Sequence, residues 1–102
     1  MKTNVFPTLA QVLGCYFHQD WNDEFLNESE VISTVLKEIP ESEIAASILE
    51  IDLLLRDRNF QKNLDKVLLE EIGCYFDPRT TGLSYVNWLS DLKKQFTDNL
   101  AK

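Results

Sequence analysis

A chain of 102 residues with 44% apolar and 11% aromatic side chains can bury one hydrophobic core but not two, and is too apolar to stay disordered. Its net charge of −7 argues against nucleic acid and anionic membrane as partners, because both are negative themselves. No apolar run could span a bilayer, and the short one at residues 12–17, preceded by Lys2 alone, lacks the small-residue cleavage site of a secretory signal. The expected address is the cytoplasm, where the two cysteines would be thiols.

In chain order, Pro7 suits a first helical turn, and Leu9, Val12, Leu13, Tyr16 and Phe17 recur at helical spacing, which predicts a helix over about residues 8–17. A polar connection over 18–26 follows. Asn27 is placed to cap a second helix, with Glu30 three positions on completing a capping-box-like pair. Its apolar stripe is Val31, Ile32, Val35, Leu36 and Ile39. Pro40 ends that helix and opens a third, whose first turn holds Glu41 and Glu43 where the helix dipole favours anions. The wide apolar face from Ile44 to Leu55 makes this the expected central helix.

Asn59 is the expected cap of a fourth helix carrying Phe60, Leu64, Val67, Leu68 and Ile72, with Gly73 as its left-handed stop. A turn region over 74–82 leads to Ser84, the expected cap of a last helix with Trp88, Leu89, Leu92 and Phe96 on one face. No segment alternates with period two, so no strand is predicted. The expected fold is all-α, a bundle of about five helices forming a single domain over residues 1–102.

Charge is divided unevenly. Residues 1–52 hold ten acids against Lys2 and Lys37, a net −8, whereas residues 53–102 hold seven acids and eight bases, a net +1. The stretch 14–30 gathers five carboxylates between the rings of Tyr16, Phe17, Trp21 and Phe25. Such a surface suits a basic partner. It equally suits a solvated acidic face kept for solubility.

Gly14-Cys15-Tyr16-Phe17-His18 returns as Gly73-Cys74-Tyr75-Phe76-Asp77. Cys15, His18, Cys74 and Asp77 have the types and the spacing of zinc ligands, but cysteine among aromatic residues is more often a small buried hydrophobe. Neither a metal nor a cofactor is therefore assigned, and a Cys15–Cys74 disulfide is disfavoured. Two segments ending in a small residue and bulky rings suit two helices crossing closely. A hydrolase would set His18 beside Asp20, Asp23 or Glu24, with Cys15 as nucleophile. The chain has a single histidine, no phosphate loop and no nucleophile elbow, so no catalytic residue is assigned. Trp88 reads as core. Trp21 reads either as a plug on the bundle or as an exposed anchor, and the plug is favoured.

The string Leu13-Gly14-Cys15-Tyr16-Phe17-His18-Gln19-Asp20-Trp21 resembles the opening of small helical immunity proteins of bacterial contact-dependent growth inhibition systems. The resemblance continues through residues 43–52, through Ile72-Gly73-Cys74-Tyr75-Phe76-Asp77-Pro78 and through residues 84–89, and covers about residues 8–92. It implies a cytoplasmic, non-enzymatic antidote that binds the C-terminal toxin domain of its own system's effector, a monomer forming a 1:1 complex. Many such toxins are nucleases, whose clefts are basic, and an acidic protein can occlude one. Motif residues common to a family that neutralises different toxins hold the fold, which makes Cys15, Tyr16, Phe17, His18, Asp20, Trp21, Cys74, Tyr75 and Trp88 the expected scaffold. Toxin contacts are then expected from Asp23, Glu24, Glu28, Glu30, Glu38, Glu41 and Glu43. The alternative is a small acidic adaptor or regulator of a basic cellular protein.

Overall fold

In the computed structural model, which describes residues 6–101, Pro7 supplies the first turn of helix α1 (Pro7–Tyr16). The remaining residues of the expected domain, Lys2 among them, lie outside the described residues. The cap position of α1 is held by Phe6, whose side chain caps nothing. Glu50, forty-odd residues away, does so instead: its two carboxylate oxygens accept from Thr8 N (3.2 Å) and Leu9 N (2.9 Å). The expected polar connection contains one further turn of helix, α2 (Trp21–Glu24).

Helix α3 (Glu28–Glu38) is capped as its sequence predicts, with Asn27 Oδ1 accepting from Glu30 N at 2.9 Å. The Glu30 carboxylate folds back to Leu26 N (3.3 Å), one residue before the position a capping box would give it. Helix α4 (Glu41–Arg56) follows Pro40 and buries Ile44, Ser47, Ile51 and Leu54. Ser47 Oγ donates to the Glu43 carbonyl at 2.9 Å, which satisfies the hydroxyl inside the core.

The expected fourth helix is broken. Asp57, not Asn59, caps α5 (Arg58–Gln61), because Asp57 has the extended backbone of a cap and its Oδ1 accepts from Asn59 N at 2.8 Å, while Asn59 already lies inside the turn. Asn63 leaves helical geometry (φ −133°, ψ 35°), and α6 (Leu64–Lys66) restarts beyond it and widens into a π-helical stretch over Val67–Ile72. Gly73 then stops it in the left-handed conformation, φ 82°, as predicted. A 3₁₀ turn (Pro78–Thr81) precedes α7 (Tyr85–Leu100), whose cap is the expected Ser84.

The described residues are all-α, and no strand occurs among them. Helix α4 is central: it packs most extensively along α7 and next along α1, while the other side of α1 meets the π-helical stretch. One continuous core joins Phe6, Leu9, Leu13 and Phe17 of the N-terminal segment to Ile44, Ile51, Leu54, Trp88, Leu92 and Phe96.

The two copies of the Gly-Cys-Tyr-Phe motif meet. A Cβ on Gly14 would stand 2.6 Å from the Ile72 carbonyl oxygen, and the Cα of Gly14 lies 3.8 Å from where a Cβ on Gly73 would be. Three residues on, Tyr75 N donates to the Phe17 carbonyl at 2.8 Å. Because the obstructing atom is backbone, it cannot swing aside. Gly14→Ala is therefore expected to cost about 1–3 kcal/mol as an overpacking change. Thermal melting should fall by roughly 4–8 °C for each kcal/mol lost in a domain of this size, and an unshifted melt would show that the crossing is looser than this.

Candidate partner-binding surface

The motif contact seats a group of rings. Phe17 stacks on Phe76 with centroids 5.4 Å apart and meets Trp88 edge-on at 5.9 Å. Trp21, half-buried, lies edge-on against Phe17 (5.5 Å) and Phe76 (5.6 Å), the place of a plug. Trp88 is buried, and its Nε1–H donates to Glu28 Oε2 at 2.7 Å across sixty residues of sequence. Of the other motif residues, Cys74 is buried, whereas Cys15 and Asp20 are exposed, Asp20 makes no side-chain cap bond, and Tyr75 is 50% exposed.

The seven acidic residues expected at an interface fall into two groups at opposite ends of α3. Asp23, Glu24, Glu28 and Glu30 lie at its N-terminal end, while Glu38 closes its C-terminal end and Glu41 and Glu43 follow in the first turn of α4. At 1.5 Å per residue the ends are about 15 Å apart, so the structure brings each group together but not the two into one cluster. Four of the carboxylates also have internal partners. Glu24 Oε2 lies 3.1 Å from His18 Nε2, Glu28 holds Trp88, Glu30 holds Leu26 N, and Glu38 Oε1 accepts from Tyr16 OH at 2.8 Å. His18 Nδ1 accepts from Asp20 N–H at 3.1 Å, which leaves its ring proton on Nε2, facing Glu24. Asp23 and Glu41 are exposed, and Leu26, beside the first group, is 90% exposed.

A second surface was not foreseen. The π-helical stretch, the segment 74–77 and the start of α7 enclose an open groove of about 300 Å³. Leu69 and Tyr75 form exposed walls, and Asp65, Glu70 and Asp77 supply carboxylates. Arg79 is clamped by Asp77 through Nε (2.9 Å) and Nη2 (2.8 Å), and its guanidinium carbon sits 5.3 Å from the centre of the Tyr85 ring. The bonds from Arg79 hold the Asp77 carboxyl below its usual range, and burial raises the Tyr85 phenol.

Residues 5–96 match the CdiI immunity protein family. The chain belongs to that family. Among solved structures it is similar to a chain of the crystal structure of a CdiA-CT/CdiI complex from Y. kristensenii 33638, with 26% identity, a TM-score of 0.80, and coverage of 93% of this chain and 99% of that one. No curated protein matches it. Within the immunity-protein fold, the crossing at Gly14 is what holds the family-like strings of the two ends together.

Other sequence-based alternatives fare differently. Cys15 and Cys74 are free thiols, one exposed and one buried, and no cluster of three or more metal-ligating side chains occurs among the described residues. Burial pushes the Cys74 thiol up to about 12, so it keeps its proton at neutral pH. No helix among the described residues is long and apolar enough to cross a membrane. Sequence reasoning missed the caps and clasps made at long range by Glu50, Glu28 and Glu38. The only signal available for Glu50 was a helix start with no polar cap of its own.

Two outcomes follow for stability. Glu28→Ala strands the buried Trp88 N–H and is expected to cost about 1–3 kcal/mol in chemical denaturation. Trp88→Phe combined with Glu28→Ala should cost less than the sum of the two single changes. Additive losses would contradict the bond. The pH response follows from Asp77 and from Asp52, whose carboxyl is lowered by its bond from Lys93 and by Arg56. Both sit below the ordinary aspartate value of 3.8 in the folded chain. Their contribution is complete above that value and is lost as pH falls through the lower folded values. Melting temperature should therefore drop on acidification below about pH 4, less steeply in Asp52→Asn combined with Asp77→Asn. A profile for that variant parallel to wild type would remove these residues as the cause.

Proposed function

We propose that this chain is the antidote of a contact-dependent growth inhibition system, binding the C-terminal toxin domain of its cognate effector one to one and blocking it without chemistry of its own. The observation that carries the reading is the family match over residues 5–96, joined by likeness across nearly the whole chain to a protein solved in a CdiA-CT/CdiI complex. The toxin is a nuclease in this reading, and its phosphate-binding cleft is basic. An acidic protein laid across such a cleft competes with nucleic acid and is steered to it by the field of its own charge. The antidote works as a monomer in the cytoplasm, where the toxin arrives.

Asp23, Glu24, Glu28, Glu30, Glu38, Glu41 and Glu43 are the proposed toxin contacts. Internal bonds to four of these carboxylates support such a role, since a side chain already fixed loses less entropy on binding. They also limit which substitutions test it. Asp23 and Glu41 are the suitable pair, because their exposed side chains make no hydrogen bond or ion pair among the described residues. Asp23→Lys with Glu41→Lys is expected to slow association with the toxin domain about tenfold or more at low salt and to flatten its salt dependence. The fold should be retained, with stability lowered only by the loss of two first-turn anions, about 0.3–1 kcal/mol each. Co-expression with the cognate toxin domain should restore growth and yield a co-purifying complex. Continued growth arrest despite full expression of both would refute the proposal.

A further inference from the structure

We infer that the groove between the π-helical stretch and the start of α7 receives a basic side chain, arginine or lysine, from the toxin domain. The inference rests on the proposed antidote role and names a contact within it. The groove shows how a cation is held against this wall, because Arg79 already occupies half of the available chemistry: its guanidinium pairs with Asp77 and stacks over Tyr85. The groove holds more of the same chemistry: Tyr75, half exposed, offers a second ring, Glu70 a further carboxylate, and Asp65 one that also faces Arg79 and Tyr85, with Lys66 as the other cation of the lining.

Charge decides the class of occupant. Clamping by Asp77 cancels Arg79, which leaves two carboxylates against Lys66 alone, on a protein of net charge −7. An acidic or phosphate-bearing occupant would be repelled. A purely apolar one would desolvate Asp65 and Glu70 without return. A small-molecule substrate is a poor fit, since the space lies at the bottom of the usual range of about 300–1,000 Å³ and the groove is open on one side. An arginine or lysine can lay its methylenes along Leu69, its charge over the Tyr75 ring and its N–H groups on the carboxylates. Tyrosine and arginine are also the residue types that dominate binding energy at protein interfaces.

The test measures affinity of the full chain for its cognate toxin domain, by calorimetry or surface-based kinetics. Tyr75→Ala is expected to weaken binding at least tenfold, and so, separately, is Asp65→Lys with Glu70→Lys. Leu49→Ala, on an exposed face of α4 outside the groove, should change nothing. Melting curves confirm the fold of each variant, and the surface charge changes stand in should Tyr75→Ala be poorly folded. Pairing Tyr75→Ala with alanine substitutions of the toxin's arginines and lysines should then find one whose loss is not additive. Wild-type binding with unaffected groove variants would overturn the inference and leave the antidote role standing. Coupling only to apolar or acidic toxin residues would overturn the occupant. No wild-type binding would bring down the role and the groove together.

Discussion

The architecture depends on one backbone contact, the approach of Gly14 to the carbonyl of Ile72. Only a residue without a Cβ lets α1 lie this close to the π-helical stretch. Once it does, the next residues of both segments are brought into register: Tyr75 N reaches the Phe17 carbonyl, and Phe17 stacks on Phe76. Those two rings in turn form the seat on which Trp21 and Trp88 rest, and Trp88 draws in Glu28 from the start of α3. The polar connection between α1 and α3 thereby gains fixed points at Trp21 and Glu28. Its short helix α2 needs them, because a single turn with no side-chain cap is not stable alone.

Acidic charge in this protein fixes the fold at several points, and in the proposed role it also attracts the toxin. Glu50 closes the start of α1, Glu28 satisfies a buried indole, Glu38 holds Tyr16, and Asp52 joins Arg56 and Lys93 at the α4–α7 contact. Each bond orders a side chain. The field felt at a distance is unchanged by these bonds to neutral donors, since Glu28, Glu38 and Glu50 keep their charge. Structure and long-range attraction therefore do not compete. A net charge concentrated in the first half can steer a basic partner even though much of it is tied down.

In the proposed complex, the groove over residues 65–85 would add what the charge lacks, a shaped contact. Long-range attraction sets the rate of encounter, whereas residence depends on rings and paired charges excluded from water. Within the π-helical stretch Leu69 and Glu70 face outward while Val67, Leu68 and Ile72 stay buried, so one short segment serves both core and surface.

Much of the fold was legible in the linear chain. Asn27 and Ser84 cap the helices their chemistry demands, Gly73 takes the left-handed stop, and the apolar periodicity of α3 and α7 marks faces that are buried, whereas on α4 Ile44, Ile51 and Leu54 are buried but Ala45 and Leu49 of the same expected face are exposed. The all-α class and the closeness of the two motif copies were legible for the same reason, since both are written in local spacing and residue size. The break at Asn63, the cap at Asp57, the turn of α2 and the groove were not. The turn of α2 and the groove depend on partners far along the chain: Trp21 lies against Phe76, Glu28 holds Trp88, and Tyr75 and Asp65 line one groove from either side of the stop at Gly73. Local propensity decides where a helix can start and stop. Which acid becomes a cap, which a clasp and which part of a surface was decided only when the core closed and fixed the distances between them.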